Sequence, residues 1–463
     1  MPGRYDDMKL IENILTPQIK SKNVSYKETI SAYSTETALS DRNLVKITND
    51  KVEIFGTTEV EIRQGINYIE QLKTVFDGKL PVCEFEFYSP AYQYRGFMID
   101  VCRHFMSVKE LKRIIKMMGL CGYNFFHWHL TEDQAWRFEV EGYDKLKEIS
   151  CKRVSKEYFK YDMVHEGIYS DDDLREIVDF CADLGITVIP EIEIPGHATA
   201  LLAAYPEFGC TGNKVEVETR WGIFDDVMNP ASEELWTFLE KAFSKLASIF
   251  PGPYFHIGGD ECPYVQWEQS EEIQNFMKQE GIQTESELQG WCTTKASRIV
   301  ASLGKRALGW DEVVDAPSID PSVVVMSWRG FEGAEKATER GHNVILCPQQ
   351  GCYLDKGITT DDFEPSQWGV YYVKDVLNVD IGMRELPEEQ RKLILGAQCN
   401  VWCEQMHNGR EVEYMMFPKV FAYADNLWLG DKKNWDDTKK RKDAVALLCY
   451  KMDILCSPAR WEE

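Results

Sequence analysis

The 463-residue chain is short of positive charge: 52 lysines and arginines face 76 aspartates and glutamates, a formal balance of -24. That deficit excludes the basic footprint of a nucleic-acid binder and disfavours polyanionic ligands, so a neutral substrate fits better. No run of about eighteen apolar residues occurs, so no membrane-spanning helix is expected. The start MPGRYDDMKLIENIL lacks the basic beginning and apolar stretch of a signal peptide. The 14 cysteines form no C-x-x-C pair, hence no metal finger, and no G-x-G-x-x-G follows a first strand, hence no dinucleotide fingerprint. Cysteines such as Cys121, Cys181 and Cys399 fall inside expected strands or helices and read as free thiols. With no leader in view, that favours a cytoplasmic compartment; a secreted or periplasmic one follows if a leader was removed. Oligomeric state is left open.

What is plentiful is apolar and aromatic. Hydrophobic residues make up 44% of the chain, with 13 tryptophans and 21 tyrosines, enough for a large core and for ring-binding walls. From Leu44, LVKI, Asn49-Asp50 and VEIF predict a hairpin. Thr58 and Glu61 predict a capped helix with Ile62, Ile66, Ile69, Leu72 and Phe76 on one face. Residues 1–90 thus read as a small α/β domain, ending near Ser89-Pro90. Over 91–463 the rhythm changes to short apolar strands alternating with amphipathic helices, one capped by Ser107 and Glu110, another opened by Ser170. The strands are GFMIDV, NFFHWHL, ITVIPEI, PYFHIG, KRALGW, SVVVMSW, NVILCP and LILGAQCNVW. Near-continuous apolar strands between helices belong to a parallel sheet, and eight fit an α/β (β/α)8 TIM barrel; an open doubly wound sheet is the alternative.

Active sites of such barrels lie at the carboxyl ends of the strands. There the sequence places Asp100 and Arg103; His127, His129, Glu132 and Asp133; Glu191, Glu193 and His197; Asp260 and Glu261; Trp310; Trp328; Tyr353 and Asp355; Trp402 and Glu404. Aromatic walls with carboxylates suit sugars, whose C–H faces pack on tryptophan while their hydroxyls need fixed acceptors and donors. Glycosidic cleavage generally uses two carboxyl groups about 5–9.5 Å apart. The best pair here, Asp260 and Glu261 in HIGGDE, is adjacent, and consecutive residues point differently. Adjacency suits a substrate-assisted reaction, in which the sugar's own 2-acetamido oxygen attacks. Glu261 would protonate the leaving oxygen and then activate water, while Asp260 would take the acetamido N–H and balance the positive charge of an oxazolinium-type intermediate. Tyr353 would donate to the acetamido oxygen, and Trp310, Trp328 and Trp402 would box its methyl. The two glycines would leave room for the ring.

These residues resemble glycoside hydrolase family 20, the β-N-acetylhexosaminidases. The likeness runs over residues 50–463 through YRGFMIDVCRHF, YNFFHWHLTEDQAWRFEV, IPEIEIPGHATA, YFHIGGDE, GWDEV, MSWRG, CYLD, NVWCE and PKVFAYADNLW. It implies an exo-acting, retaining enzyme that removes terminal GlcNAc or GalNAc from a glycan or glycoconjugate without a cofactor. It further implies that Arg103 and Glu404 hold sugar hydroxyls with Glu132 beside them. Glu193 and His256 would stand behind His197 in support of the acid, and Asp355 would touch the sugar next to Tyr353. The chain departs from the family in carrying Glu132-Asp133 for Asp-Asp and Glu193 for Asp. Alternatives at this stage are a relative that takes one epimer or releases a disaccharide, and a catalytically silent sugar-binding barrel. A metal pair at His127 and His129 is weighed against packed imidazoles, and the latter are expected in a chain with 8 histidines. Trp136, Trp221 and Trp368 lie in loops, open to packing or to further subsites.

Overall fold

The computed structural model describes residues 13, 17–23, 29–155, 163–316, 319–360 and 363–458, so nearly all of the segment read for a leader lies outside the described residues. Asn49 and Asp50 turn the chain as expected, and strands Leu44–Ile47 and Lys51–Gly56 pair antiparallel with Ile47 opposite Val52. They sit inside a five-stranded sheet ordered Ser21–Asn23, Cys83–Glu86, Leu44–Ile47, Lys51–Gly56, Ser34–Leu39. Strict alternation buries Val52 and Ile54 beneath helix α1 (Glu59–Val75). Thr58 and Glu61 close the capping box that starts α1. A Cβ at Gly65 would overlap the Ile54 side chain, so glycine is what lets helix and sheet approach. On its other flank α1 is tied to the barrel, Asn67 Nδ2 donating to Gly119 O (2.9 Å) and Gln71 Nε2 to Leu120 O (2.8 Å).

The eight expected strands are β1 (Tyr94–Asp100), β2 (Phe125–His129), β3 (Thr187–Glu191), β4 (Tyr254–His256), β5 (Arg306–Trp310), β6 (Val324–Ser327), β7 (Val344–Leu346) and β8 (Ile394–Val401). All neighbours are parallel, and β8 pairs back onto β1 from Gly396 opposite Tyr94 to Val401 opposite Ile99, closing a (β/α)8 barrel. The register of β8 slips against β7 at Gly396, whose φ of 149° and close approach to Tyr94 O admit no side chain. Helices α2 (Val108–Leu120) and α3 (Asp171–Asp183) begin at Ser107 and Ser170, each with a full capping box, and pack Leu111, Ile114, Ile115 and Leu174, Ile177, Val178 inward.

The barrel interior is layered. Tyr94, Ile189, Leu308, Val324, Met326 and Ile345 form a buried apolar floor. Above it the inward positions turn polar: Gln398 Nε2 lies 3.1 Å from His127 Nδ1 and donates to Asn400 Oδ1 at 2.9 Å. Period-two alternation then raises Glu191, His256 and Trp310 one layer higher, toward the carboxyl ends of the strands. Past β7, the segment bearing Tyr353, Asp355 and Lys356 is clamped by helix α4 (Lys419–Leu429), where buried Lys419 donates from Nζ to Leu354 O (2.7 Å) and Lys356 O (2.8 Å). Burial pushes the Lys419 amine down to about 7 against the pull of Asp355 and Glu364.

Lys419→Met leaves two buried carbonyls bare. At about 1–3 kcal/mol for each such group, the expected loss of stability is about 2–6 kcal/mol, read as a lower urea midpoint. The folded-state value lies below the ordinary lysine value of 10.5, so the unfolded chain binds the extra proton between about 7 and 10.5. This group therefore makes stability rise with pH across that window, and the rise is missing in the methionine variant.

Candidate active site

The deepest acid in the barrel organises the rest. Glu191 ends β3 fully buried, with His129 Nδ1 bonded to its Oε2, His127 Nε2 2.9 Å from the same oxygen, and His256 Nδ1 2.6 Å from Oε1. The histidines of β2 thus both stand against one buried carboxylate, His129 through a hydrogen bond and His127 through a close ionic contact. Burial would raise the Glu191 carboxyl, but His256, His129 and His127 outweigh it and hold it well below the ordinary range. Burial likewise opposes a charge on His129, yet Glu191 and Glu132 raise it to about 10, so this ring donates from both nitrogens. Burial dominates at His127 and takes it down to about 4.

From His129 the network climbs to the pocket. His129 Nε2 lies 3.1 Å from Glu132 Oε2, whose carboxylate also meets Arg103 Nη2 (3.2 Å) and His197 Nδ1 (2.8 Å). Arg103 is fixed on two further sides by Asp100 (3.3 Å) and Gln134 (3.0 Å). Asp133 accepts from His197 Nδ1 at 3.1 Å and is itself held by Thr199 N (2.9 Å) and Oγ1 (2.6 Å). The far nitrogen of His197 stands 3.7 Å from Asp260 and 3.5 Å from Glu261. Burial opposes protonation of His197, but Glu132 and Asp260 prevail and keep it charged.

Asp260 and Glu261 both line one pocket of about 490 Å³, together with Arg103, Glu132, His197, Trp328, Tyr353, Asp355, Trp402 and Glu404. Adjacent residues manage this because Glu261 has φ 46°, a left-handed conformation that breaks the alternation of an extended chain. Burial, with Glu261 nearby and His197 opposing, pushes the Asp260 carboxyl up to about 6. Trp328 and Tyr353 stack with centroids 6.4 Å apart, and Tyr353 meets Trp402 at 6.0 Å, making three aromatic sides of a box. Trp328 is steadied from behind, its Nε1 donating to Glu312 at 2.9 Å. Burial, helped by the charge of Glu404, raises the Asp355 carboxyl to about 7, and burial raises Glu404 as well, with Arg103 opposing and Asp100 adding to it.

Four expectations need correction. Trp310 is only 1% exposed and lies beneath the pocket, against His256 (4.6 Å) and Trp402 (5.9 Å), so it supports a wall instead of forming one. Glu193 and His256 do not back His197; that place is taken by Asp133 and Glu132. His256 belongs to the Glu191 cluster, while Glu193 is held protonated by burial and by Asp260 and Glu191, its carboxyl packed under Gly258. The glycines of HIGGDE make no room for a ring: Gly258 (φ 64°) and Gly259 (φ 102°) turn the chain left-handed, and a Cβ on either would strike Glu193 or Val313. Of the loop tryptophans, Trp221 and Trp368 line the pocket, and Trp136 is buried against Phe138 and Phe238. Sequence reasoning missed Lys356, Gln349 and Gln367 in the lining, and the place of Asp133 behind His197. Only the latter had a signal, its position at a strand end beside Glu132.

Comparison with known proteins agrees with this geometry. The family model for the glycosyl hydrolase family 20 catalytic domain matches residues 92–431. A beta-hexosaminidase of Porphyromonas gingivalis is 39% identical over 368 residues, 79% of this chain and 46% of that protein. One from Vibrio furnissii is 35% identical over 349 residues, 73% and 56% of the respective lengths. This chain thus spans about half the length of the curated relatives it matches. The solved structure of an exo beta-N-acetylglucosaminidase from Vibrio harveyi, in complex with N-acetylglucosamine, superposes with a TM-score of 0.85 at 26% identity, covering 98% of this chain and 79% of that one. The closed barrel, the carboxylate and aromatic pocket at its carboxyl end, and the match across its length make this chain a member of glycosyl hydrolase family 20.

Proposed function

We propose that the protein is an exo-acting, retaining β-N-acetylhexosaminidase that removes terminal β-linked GlcNAc or GalNAc by substrate assistance. The observation that carries this reading is the pair Asp260 and Glu261, adjacent in sequence, facing one pocket and sharing His197 at 3.7 and 3.5 Å. Consecutive residues that share one histidine are poorly placed to flank a bond as acid and nucleophile on opposite sides. They can serve neighbouring parts of one sugar. Glu261 gives its proton to the leaving oxygen and later takes one from water. Asp260 accepts the acetamido N–H and balances the positive charge that forms as the acetamido oxygen closes on the anomeric carbon. Tyr353, Trp328 and Trp402 hold the acetamido group between them, while Arg103, Asp355 and Glu404 have the polarity to fix ring hydroxyls. His197, kept positive between Asp133 and Glu132 on one side and the reacting pair on the other, orients both carboxyls.

Release of nitrophenol from the paired p-nitrophenyl GlcNAc and GalNAc glycosides is the direct test, and no release from either would sink the proposal. Glu261→Gln should lower kcat by about 10²–10⁴-fold while a thiazoline-type mimic still binds. Asp260→Asn should be nearly as damaging, because an amide cannot balance the developing charge. Asp260 must be ionised to work, and its carboxyl is pushed up to about 6. As pH falls through that value the working form is lost, so kcat/KM should decline below about pH 6 with a one-proton slope. A flat profile down to pH 5 would contradict the role given to Asp260.

A further inference from the structure

The pocket wall Trp328 is held at its backbone and at its ring tip by one short turn of chain. Past β5, the turn Asp311–Val314 presents two acids in succession. Asp311 is fully buried; its Oδ2 accepts from the backbone N–H of Trp328 (3.2 Å) and of Arg329 (3.3 Å), and its Oδ1 from Arg329 Nε (2.6 Å). Glu312 takes the far end, its Oε2 accepting from Trp328 Nε1 at 2.9 Å. The turn itself has little freedom. A Cβ on Gly333 would overlap Asp311, and one on Gly259 would strike Val313, so the turn is wedged between the helix Glu332–Glu339 and the strand end that delivers Asp260 and Glu261. The indole is thereby referenced to the same rigid piece as the two acids.

Glu312 has one cation near it, Arg329, whose Nε stands 3.9 Å from Oε1, but that guanidinium is committed to Asp311 and, through Nη2, to Asp315 at 3.0 Å. Burial, with Asp260 and Asp311 adding to it, outweighs Arg329 and raises the Glu312 carboxyl to about 9. The indole is therefore held by an uncharged acid, which accepts its N–H without setting a second anion beside Asp260. The reaction proposed above uses neither the proton nor the charge of Glu312. What it needs from Trp328 is a wall at a fixed angle: the ring faces Tyr353 with centroids 6.4 Å apart and planes 16° from parallel, so a change of tilt changes the width left for an acyl chain against these rings. We propose that Glu312 is a positioning residue that sets the size of the acyl group the pocket accepts, by fixing the tilt of the Trp328 indole. This inference rests on the hexosaminidase reading and deepens it. The competing role, a stabilising partner for Arg329, would make Glu312 matter equally for every substrate.

The experiment compares kcat/KM on p-nitrophenyl β-GlcNAc and on its N-propionyl analogue for the unaltered protein, Glu312→Gln, Glu312→Leu and Glu312→Ala. A well-fitted apolar pocket discriminates a single methylene by about 10–200-fold. Leucine and alanine both remove the acceptor for the indole N–H, and alanine serves where leucine does not fold. Glutamine keeps a neutral carbonyl oxygen in its place. The expected result is a fall of about tenfold in the preference for N-acetyl over N-propionyl in the leucine and alanine variants, with the preference kept within about threefold in Glu312→Gln. An equal loss on both substrates, or a glutamine variant that behaves as the leucine one does, overturns the proposal. If the unaltered protein turns over neither glycoside, the hexosaminidase reading fails by itself. The acyl fit is then read by calorimetry with GlcNAc and N-propionylglucosamine: a preference for the acetyl sugar that shrinks in Glu312→Leu and persists in Glu312→Gln upholds the positioning role, and a preference that is absent or unmoved refutes it.

Discussion

A carboxylate buried at the centre of the barrel is the constraint from which the site is built. Glu191 can remain ionised there only because His129 and its neighbours answer its charge. His129, charged in turn, has a second nitrogen that must find an acceptor, and Glu132 supplies it. Glu132 then takes Arg103 and His197, and His197 reaches the two acids at the pocket. Each of these groups touches the next one outward, so the orientation of the outermost carboxyls is inherited from packing several layers below.

Backbone handedness is the second device. His197 (φ 47°) and Glu261 (φ 46°) are both left-handed without being glycine, a conformation that costs roughly 1–2 kcal/mol apiece. The surroundings sustain it: Asp133 and Glu132 hold the His197 ring, and Gly258 and Gly259 deliver the chain to Glu261 already turned. The strain has a visible result. It brings two consecutive side chains to one cavity, an arrangement that straight extended backbone forbids.

The barrel was legible because its information is local and periodic. Each strand is an apolar run, each of α1, α2 and α3 announces its start with a capping residue, and all eight strands and their closure follow from that rhythm. The pocket residues were legible where chemistry and strand ends coincide, as for Asp260, Glu261, Arg103, Tyr353 and Trp402. What sequence could not supply was depth and backbone turn. Trp310 and Trp328 look alike at their strand ends, yet one ends inside the core and the other at the surface of the pocket. Lys356 follows Asp355 directly, so plain alternation points it away from the pocket, yet both residues line it. Glycine in HIGGDE was read as space when its use is conformation.

The same low-dielectric cavity sorts chemically similar groups into different roles. Glu132 is drawn down: burial alone would raise it, but Arg103 and His197 overcome that, and it stays a permanent anion. Glu193 and Glu312 have burial and neighbouring acids against them, which His197 and Arg329 respectively do not offset, so Glu193 stays protonated and Glu312 rises to about 9. Asp260 lies between, near 6, because His197 partly offsets burial and the charge of Glu261. Groups held far from neutrality serve as fixed scaffolding, whereas one poised near it can respond to a ligand. In the mechanism proposed above, an acetamido N–H arriving at Asp260 would stabilise the ionised form and lower that value, so that binding the sugar would itself complete the charge that the next step requires.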